Sequence, residues 1–209
     1  MIRVLIADDH AIVRRGLREI VSGTSDIVVI GEASNGQEAV EKVSSQQFDV
    51  VLLDISMPVK GGVAALKEIR DLRPRLPVLL LSIHPEDQYA MRVLRAGASG
   101  YLTKESAPEE LIKAIRKVHS GGKYVSSTLA EKLAELLTSD PSGRLHERLS
   151  DREFEVLRML ASGISVSRIA DDLNLSVKTV STYRSRLMQK MQCENNAELI
   201  RYAIANNLI

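Results

Sequence analysis

Asp8 with Asp9, then Asp54, Ser82 and Lys104, each stand at or just past the end of a short apolar run. If those runs lie side by side, carboxylates, a hydroxyl and an ammonium meet at one edge. Crowded carboxylates repel and raise one another's pKa unless a cation neutralises them. A hard cation with oxygen ligands, such as Mg2+, does this and also suits a phosphoryl substrate. Asp54 would then be a carboxylate nucleophile on phosphorus, giving an aspartyl phosphate. Mg2+ and Lys104 would balance the phosphoryl charge, and the Ser82 hydroxyl would donate to one of its oxygens. Taken singly, an acidic residue at the end of a strand is a solvated loop residue or a helix cap. Their coincidence at the ends of four separate runs is what points to chemistry.

Residues 3–7, 27–33, 50–53, 78–81 and 99–102 are short and rich in apolar and β-branched side chains. Several are apolar on consecutive positions, the pattern of strands covered on both faces. Helical periodicity fills the gaps, at 11–21, 37–43, 63–72, 88–96 and 109–119, and Ser106-Ala107-Pro108-Glu109 has the spacing of a capping box. Five strands alternating with five helices predict an α/β, doubly wound parallel sheet. In such sheets the site forms at the carboxyl ends of the strands, which is where the chemical residues fall.

After Ser120-Gly121-Gly122 the pattern changes. Leu129, Leu133, Leu136 and Leu137 predict a short amphipathic connecting helix over 128–137, stopped by Asp140-Pro141-Ser142-Gly143. From Ser150 onward every periodic segment is helical, beginning with a second capping box, Ser150-Asp151-Arg152-Glu153. The expected division is an α/β domain over 1–120, a linker over 121–148 and a smaller all-α domain over 149–209.

Within the all-α part, Ser165 can cap a short helix, Asn174-Leu175-Ser176 makes a turn, and Ser176 can cap a second helix. On that second helix Val180, Leu187 and Met191 fall on an inner side, while Lys178, Ser181, Thr182, Ser185 and Gln189 fall outside. Lys178, Arg184, Arg186 and Lys190 lie between residues 177 and 193, with no acid among them. Such a helix-turn-helix fits the DNA major groove, its exposed face toward base edges and its basic groups toward phosphates. A solvated basic helix would show the same pattern. The last helix, over 197–206, carries Leu199, Ile200, Ala203 and Ile204.

Bulk composition is that of an ordinary globular chain, with 44% hydrophobic and 26% charged residues. The net charge of +1 neither favours nor excludes nucleic acid, because a local basic surface can hide in a balanced total. No apolar run approaches the ~20 residues of a membrane span, and the first residues read as a buried strand, not a signal peptide. Cys193 is the only cysteine, which excludes a disulfide framework and favours the cytoplasm. His10, His84, His119 and His146 show no metal-ligand spacing and read as structural.

Val4-Leu5-Ile6-Ala7-Asp8-Asp9-His10, Asp54-Ile55-Ser56-Met57-Pro58 with Gly62, Leu81-Ser82 and Gly100-Tyr101-Leu102-Thr103-Lys104 resemble the flavodoxin-like receiver domains of two-component response regulators. The resemblance spans residues 1–120. It implies that Asp54 takes a phosphoryl group from a sensor histidine kinase. It further implies that Asp8, Asp9, Asp54 and the Ser56 carbonyl hold Mg2+, that Lys104 contacts the phosphoryl group, and that Ser82 and Tyr101 form the switch. Glu105 stands where many receivers have a proline in a cis bond.

Leu149-Ser150-Asp151-Arg152-Glu153-Phe154-Glu155-Val156-Leu157, Gly163-Ile164-Ser165, Ile169-Ala170 and Ser176-Val177-Lys178-Thr179-Val180-Ser181 resemble the LuxR-type DNA-binding domain over 149–209. Together the two parts are similar to the NarL/FixJ class of response regulator. That similarity puts base contacts at Ser181, Thr182 and Ser185, shifts phosphate contacts to Lys178, Arg184 and Arg186, and implies a homodimer on double-stranded DNA when phosphorylated. Some of these base-contact positions are frequently lysine in relatives, and Val166-Ser167-Arg168 also departs from the commoner run. The expected function is that of a phosphorylation-switched transcription regulator, not an enzyme. Two alternatives stay open: a constitutive DNA-binding dimer with a structural receiver, and a Mg2+-dependent phosphatase. Against the phosphatase, Ser56 stands two residues after Asp54, where a general acid would be needed.

Overall fold

The computed structural model describes residues 1–83, 86–126, 129–131, 145–206 and 208–209, the side chains of 86–88 aside. His84 and most of the expected connecting helix, with its Asp140-Pro141-Ser142-Gly143 stop, lie outside the described residues; 129–131 are helical. The chain divides into two compact units, Met1–Glu131 and Lys132–Ile209. Among the described residues no helix is long and apolar enough to cross a membrane.

In the first unit β1 (Ile2–Ala7), β2 (Ile27–Ala33), β3 (Val50–Asp54), β4 (Val78–Ser82) and β5 (Gly100–Thr103) form one sheet in the order β2-β1-β3-β4-β5. Every pairing is parallel. β3 and β4 lie inside the sheet, and every one of their residues is buried, so the unbroken apolar runs had two faces to fill. Helices α1 (Ala11–Ser22), α2 (Gly36–Ser45), α3 (Gly62–Leu72), α4 (Glu86–Arg95) and α5 (Pro108–His119) alternate with the strands. Val4, Ile6, Leu52, Leu79 and Leu81 join Val21 of α1 and Leu111, Ile115 and Val118 of α5 in one core on one face. The chain leaves β1 outward to β2, then crosses back to β3. The crevice of a doubly wound sheet opens at that reversal, beyond the carboxyl ends of β1 and β3.

One local expectation does not hold, and one pairing is additional to those expected. Ser106 does not cap α5: Ala107 is its N-cap with Pro108 as the first helical residue, and Ser106 Oγ instead lies 3.0 Å from Thr103 Oγ1. Proline supplies the helical φ and lacks the N–H that a cap would satisfy. Past α5, Tyr124 pairs with Gly100 at the open edge of β5, its N–H donating to Ser99 O at 2.9 Å and its carbonyl accepting from Tyr101 N at 3.2 Å. This extra pairing covers part of an edge strand and had no signal in the apolar pattern.

The second unit holds a 3-10 turn (Leu145–Arg148) and helices α6 (Asp151–Ala161), α7 (Val166–Asp172), α8 (Val177–Met191) and α9 (Asn196–Ala205). Ser150 and Glu153 form the expected capping box, while Ser165 caps α7, Ser176 caps α8 and Asn195 caps α9. Asn174, at φ 51, takes the left-handed conformation that turns α7 into α8, one that asparagine tolerates. Phe154, Leu157, Ile169, Val180, Leu187, Met191, Leu199 and Ala203 are buried in its core. Glu153 is buried too, and its carboxylate reaches Lys190 Nζ of α8 at 2.6 Å.

Gly62 opens α3 against the end of β3: a Cβ there would stand 2.0 Å from the Asp54 carbonyl oxygen. That oxygen is fixed by its strand, so Gly62→Ala is expected to destabilise the protein by roughly 1–3 kcal/mol. Gly16 lies inside α1, where a Cβ meets nothing within 4 Å. Gly16→Ala should therefore stabilise by roughly 0.5–1 kcal/mol. Thermal denaturation of both variants checks the pair; equal shifts would contradict it.

Candidate metal centre and nucleic-acid interface

Register brings the chemical residues together. Ala7 pairs with Leu53, Asp54 with Leu81 and Ser82 with Thr103, so Asp8, Asp54, Ser82 and Lys104 end adjacent strands at one rim. Asp8 and Asp54 are almost wholly buried, at 0% and 2% exposure. Lys104 Nζ sits between them, 2.6 Å from Asp8 Oδ2 and 2.9 Å from Asp54 Oδ2. Its backbone N–H donates to Ser82 O at 2.7 Å, tying the β5–α5 loop to the end of β4. Ser82 and Tyr101 are both buried. Among the described residues no peptide bond is cis, the one before Glu105 included.

The electrostatics follow from this burial. Burial, with Asp8 nearby, pushes the Asp54 carboxyl up to about 6, although Lys104 and the Ser56 N–H pull it down. Burial alone would lower Lys104, but Asp54 and Asp8 outweigh it and hold its pKa raised. One ammonium cannot balance Asp8, Asp9 and Asp54 together. Asp9 Oδ1 is buried and accepts no hydrogen bond of good geometry, while Asp8 Oδ2 meets the Lys104 ammonium. Asp8, Asp9, His10 and Asp54 each offer a ligand atom within 4.8 Å of the others. This oxygen-rich, net-negative pocket fits a hard divalent cation.

Two contributors were not foreseen. The loop histidine His10 places Nδ1 2.8 Å from Asp9 Oδ1, inside the cluster. Arg14 of α1 donates to the Asp8 carbonyl at 2.7 Å, while Glu32 of β2 holds its Nε at 3.2 Å and Arg18 at 2.6 Å. This brace fixes the backbone of the acidic pair. Only the meeting of α1 with β2 creates it, and a sequence pattern carries no sign of that contact.

On α8, Lys178, Ser181, Thr182, Ser185, Arg186 and Gln189 are exposed, as expected of an outer face. Lys178 and Arg186, with Ser176, Thr179, Thr182 and Tyr183, line a shallow depression of about 290 Å3. Thr182 Oγ1 donates to Lys178 O at 2.9 Å, so its proton is used within the helix and its methyl and lone pairs remain. Arg184 lies on the flank and donates to Asn196 Oδ1 of α9 at 3.1 Å. Lys190 is held by Glu153. The basic stripe read from the sequence therefore separates into outward charges and charges engaged with the fold.

Residues 4–116 match the response regulator receiver domain, and residues 147–203 match the bacterial regulatory proteins of the luxR family. The chain belongs to the response regulators of the NarL/FixJ class, phosphorylation-switched transcription regulators that join a receiver to a LuxR-type helix-turn-helix. It is 39% identical over 209 residues to the response regulator UvrY of Escherichia coli (strain K12), covering 100% of this chain and 96% of that protein. It is 36% identical over 211 residues to the response regulator GacA of Pseudomonas viridiflava, covering 100% of this chain and 98% of the relative. Among solved structures it is similar to RcsB from Salmonella enterica serovar Typhimurium, bound to promoter rprA in the presence of the phosphomimetic BeF3-. That similarity has a TM-score of 0.64 at 30% identity, covering 98% of this chain and 100% of that chain.

The raised Asp54 pKa predicts a sign for stability. Between the free-aspartate value of about 3.9 and the folded value of about 6, the folded protein binds more protons than the unfolded chain. Stability therefore falls as pH rises through that window. In a chelating buffer, Asp54→Asn should be more stable than the parent above about pH 6, by at most roughly 3 kcal/mol, with the gap closing toward about pH 4. Denaturant melts of both proteins across this range check it. Parallel pH profiles would contradict it.

Proposed function

We propose that this chain is a DNA-binding transcription regulator switched by phosphoryl transfer from a sensor histidine kinase to Asp54. The observation that carries the reading is the buried pair Asp8–Asp54 bridged by Lys104 at the strand reversal. In the transfer, an Asp54 carboxylate oxygen attacks phosphorus, the new O–P bond forms and the N–P bond of the donor phosphohistidine breaks. Lys104 Nζ, already 2.9 Å from Asp54 Oδ2, is placed to follow the added charge onto the phosphoryl oxygens. Asp8, Asp9, Asp54 and the Ser56 carbonyl would hold Mg2+, which when bound supplies charge neutralisation for the phosphoryl group. Ser82, buried at the end of β4, would donate to a phosphoryl oxygen, and Tyr101, wholly buried, would report the change through its position on β5.

We assign the receiver to 1–120, a linker to 121–148 and the DNA-binding domain to 149–209. Phosphorylation favours whichever receiver state binds the phosphoryl group better, and a homodimer on two-fold double-stranded DNA is the expected output. The cytoplasm is the expected compartment. Ser181, Thr182 and Ser185 would meet base edges, and Lys178, Arg184 and Arg186 phosphates. DNA binding is supported by the likeness to RcsB in its promoter complex. We read the chain as a regulator and not as an enzyme acting in trans, since Ser56 cannot serve as a general acid.

Acetyl phosphate with Mg2+ should add one hydroxylamine-labile phosphoryl group to the protein and none to Asp54→Asn, read by intact mass. Undiminished labelling of the variant would move the site. Labelling that leaves DNA affinity and dimerisation unchanged would favour the constitutive dimer.

On DNA, Lys178→Ala or Arg186→Ala should weaken cognate and random duplexes alike and reduce the salt slope by about one unit. Thr182→Ala should spare the slope and cost roughly 1–3 kcal/mol on the cognate duplex only. Arg184→Ala should reduce the slope by less than Lys178→Ala, because Arg184 is shared with Asn196. Salt titrations of binding to both duplexes separate these outcomes. A Thr182→Ala loss equal on both duplexes would refute the base-reading face.

A further inference from the structure

We propose that His10 is an additional metal ligand in the acidic pocket, one that takes borderline divalent ions of the Co2+, Ni2+ and Zn2+ kind in preference to Mg2+. The proposal rests on the reading of this cluster as the receiver's cation site. His10 Nδ1 stands 2.8 Å from Asp9 Oδ1 and 3.4 Å from Asp8 Oδ1. Ligand bonds of about 2.0–2.1 Å put neighbouring donors about 3.0 Å apart in an octahedron and about 3.3 Å apart in a tetrahedron. The two separations bracket those edges.

A hydrogen bond does not account for the approach. Asp9 Oδ1 is buried and accepts none, so the imidazole nitrogen and the carboxylate oxygen come together without the alignment of an N–H···O bond. That spacing also suits two ligands of one ion, and Asp8, Asp9, His10 and Asp54 each offer a ligand atom within 4.8 Å of the others. The His10 backbone N–H donates to Asp8 Oδ1 at 2.9 Å, which anchors the residue at the rim. Its side chain is 63% exposed, so the ring is open to solvent.

The donor set decides the class of ion. Three carboxylates alone suit a hard cation, whereas an imidazole nitrogen favours the later first-row metals and zinc. His10 therefore gives this pocket a second selectivity. A borderline ion held there would occupy the cation position next to Asp54, so such ions would compete with Mg2+ for the phosphoacceptor site.

The test uses the full chain, chelated and then titrated with Co2+, followed by its visible d–d absorption, with Mg2+ binding measured separately by calorimetry. The parent should bind Co2+ with a spectrum typical of mixed nitrogen and oxygen ligation, and Zn2+ should displace it. In His10→Asn the ratio of Co2+ to Mg2+ affinity should fall at least roughly tenfold, the scale of losing one supporting group at a metal site. Asp9→Asn should lose both ions. An unchanged ratio and spectrum in His10→Asn would overturn the proposal while leaving the receiver reading intact. Failure of the parent to bind Mg2+ at all would instead strike the receiver reading.

Discussion

Two buried carboxylates need a partner, and in the first unit Asp8 and Asp54 share one. Lys104 Nζ lies within 3 Å of an oxygen of each. An ion pair at such burial is weak support for stability on its own, because desolvation offsets much of the attraction. Burial still keeps the Asp54 carboxyl raised to about 6 against the pull of that ammonium, and three carboxylates share the one ammonium. A cation and a phosphoryl group are chemical complements of that state. The same imbalance that costs folding energy creates the reason to bind.

The sheet exists to hold that imbalance in place. Filling both faces of β3 and β4 with apolar side chains fixes register, and register fixes which strand ends are neighbours. Around the rim, backbone clearance and braces do the fine positioning. Gly62 leaves room for the Asp54 carbonyl, and Arg14 grips the Asp8 carbonyl with Glu32 behind it. Beyond Pro58 the chain turns tightly through Val59, at φ 63, with Lys60 N donating to Pro58 O at 2.6 Å. A β-branched residue is strained there. Such strain persists only where the surroundings over-determine the loop, here through Gly36 N to Lys60 O and the Lys60–Glu68 ion pair.

The second unit separates holding from reading. Side-chain caps at Ser165, Ser176 and Asn195 set where its helices begin, and the buried Glu153 carboxylate ties α6 to α8 through Lys190. Charge spent inside the fold is not offered to a ligand. The exposed face of α8 is left with hydroxyls and a methyl flanked by Lys178 and Arg186, a surface poor in charge at its centre. Base discrimination by such a face would come from short contacts, and affinity from its flanks.

Much of this was legible in the sequence because it is periodic or local. Apolar runs without alternation announced strands buried on both sides, and the residues closing them announced the site, since the carboxyl ends of a parallel sheet face one way. Caps at Ser150, Ser165 and Ser176 depend on neighbours within three residues and were readable for that reason. What the sequence could not carry were contacts between residues distant in the chain. The pairing of Tyr124 with β5, the Arg14–Glu32 brace, the capture of Arg184 by Asn196 and of Lys190 by Glu153, and the approach of His10 to the acidic cluster all depend on how elements pack. Even the failed cap at Ser106 is of this kind, its hydroxyl lying beside Thr103 at the end of β5. The sequence alone determined which residue types would meet at the strand ends. Tertiary structure decided which charges remained free to act, because electrostatic partnership depends on distance and burial, and neither is a property of the chain before it folds.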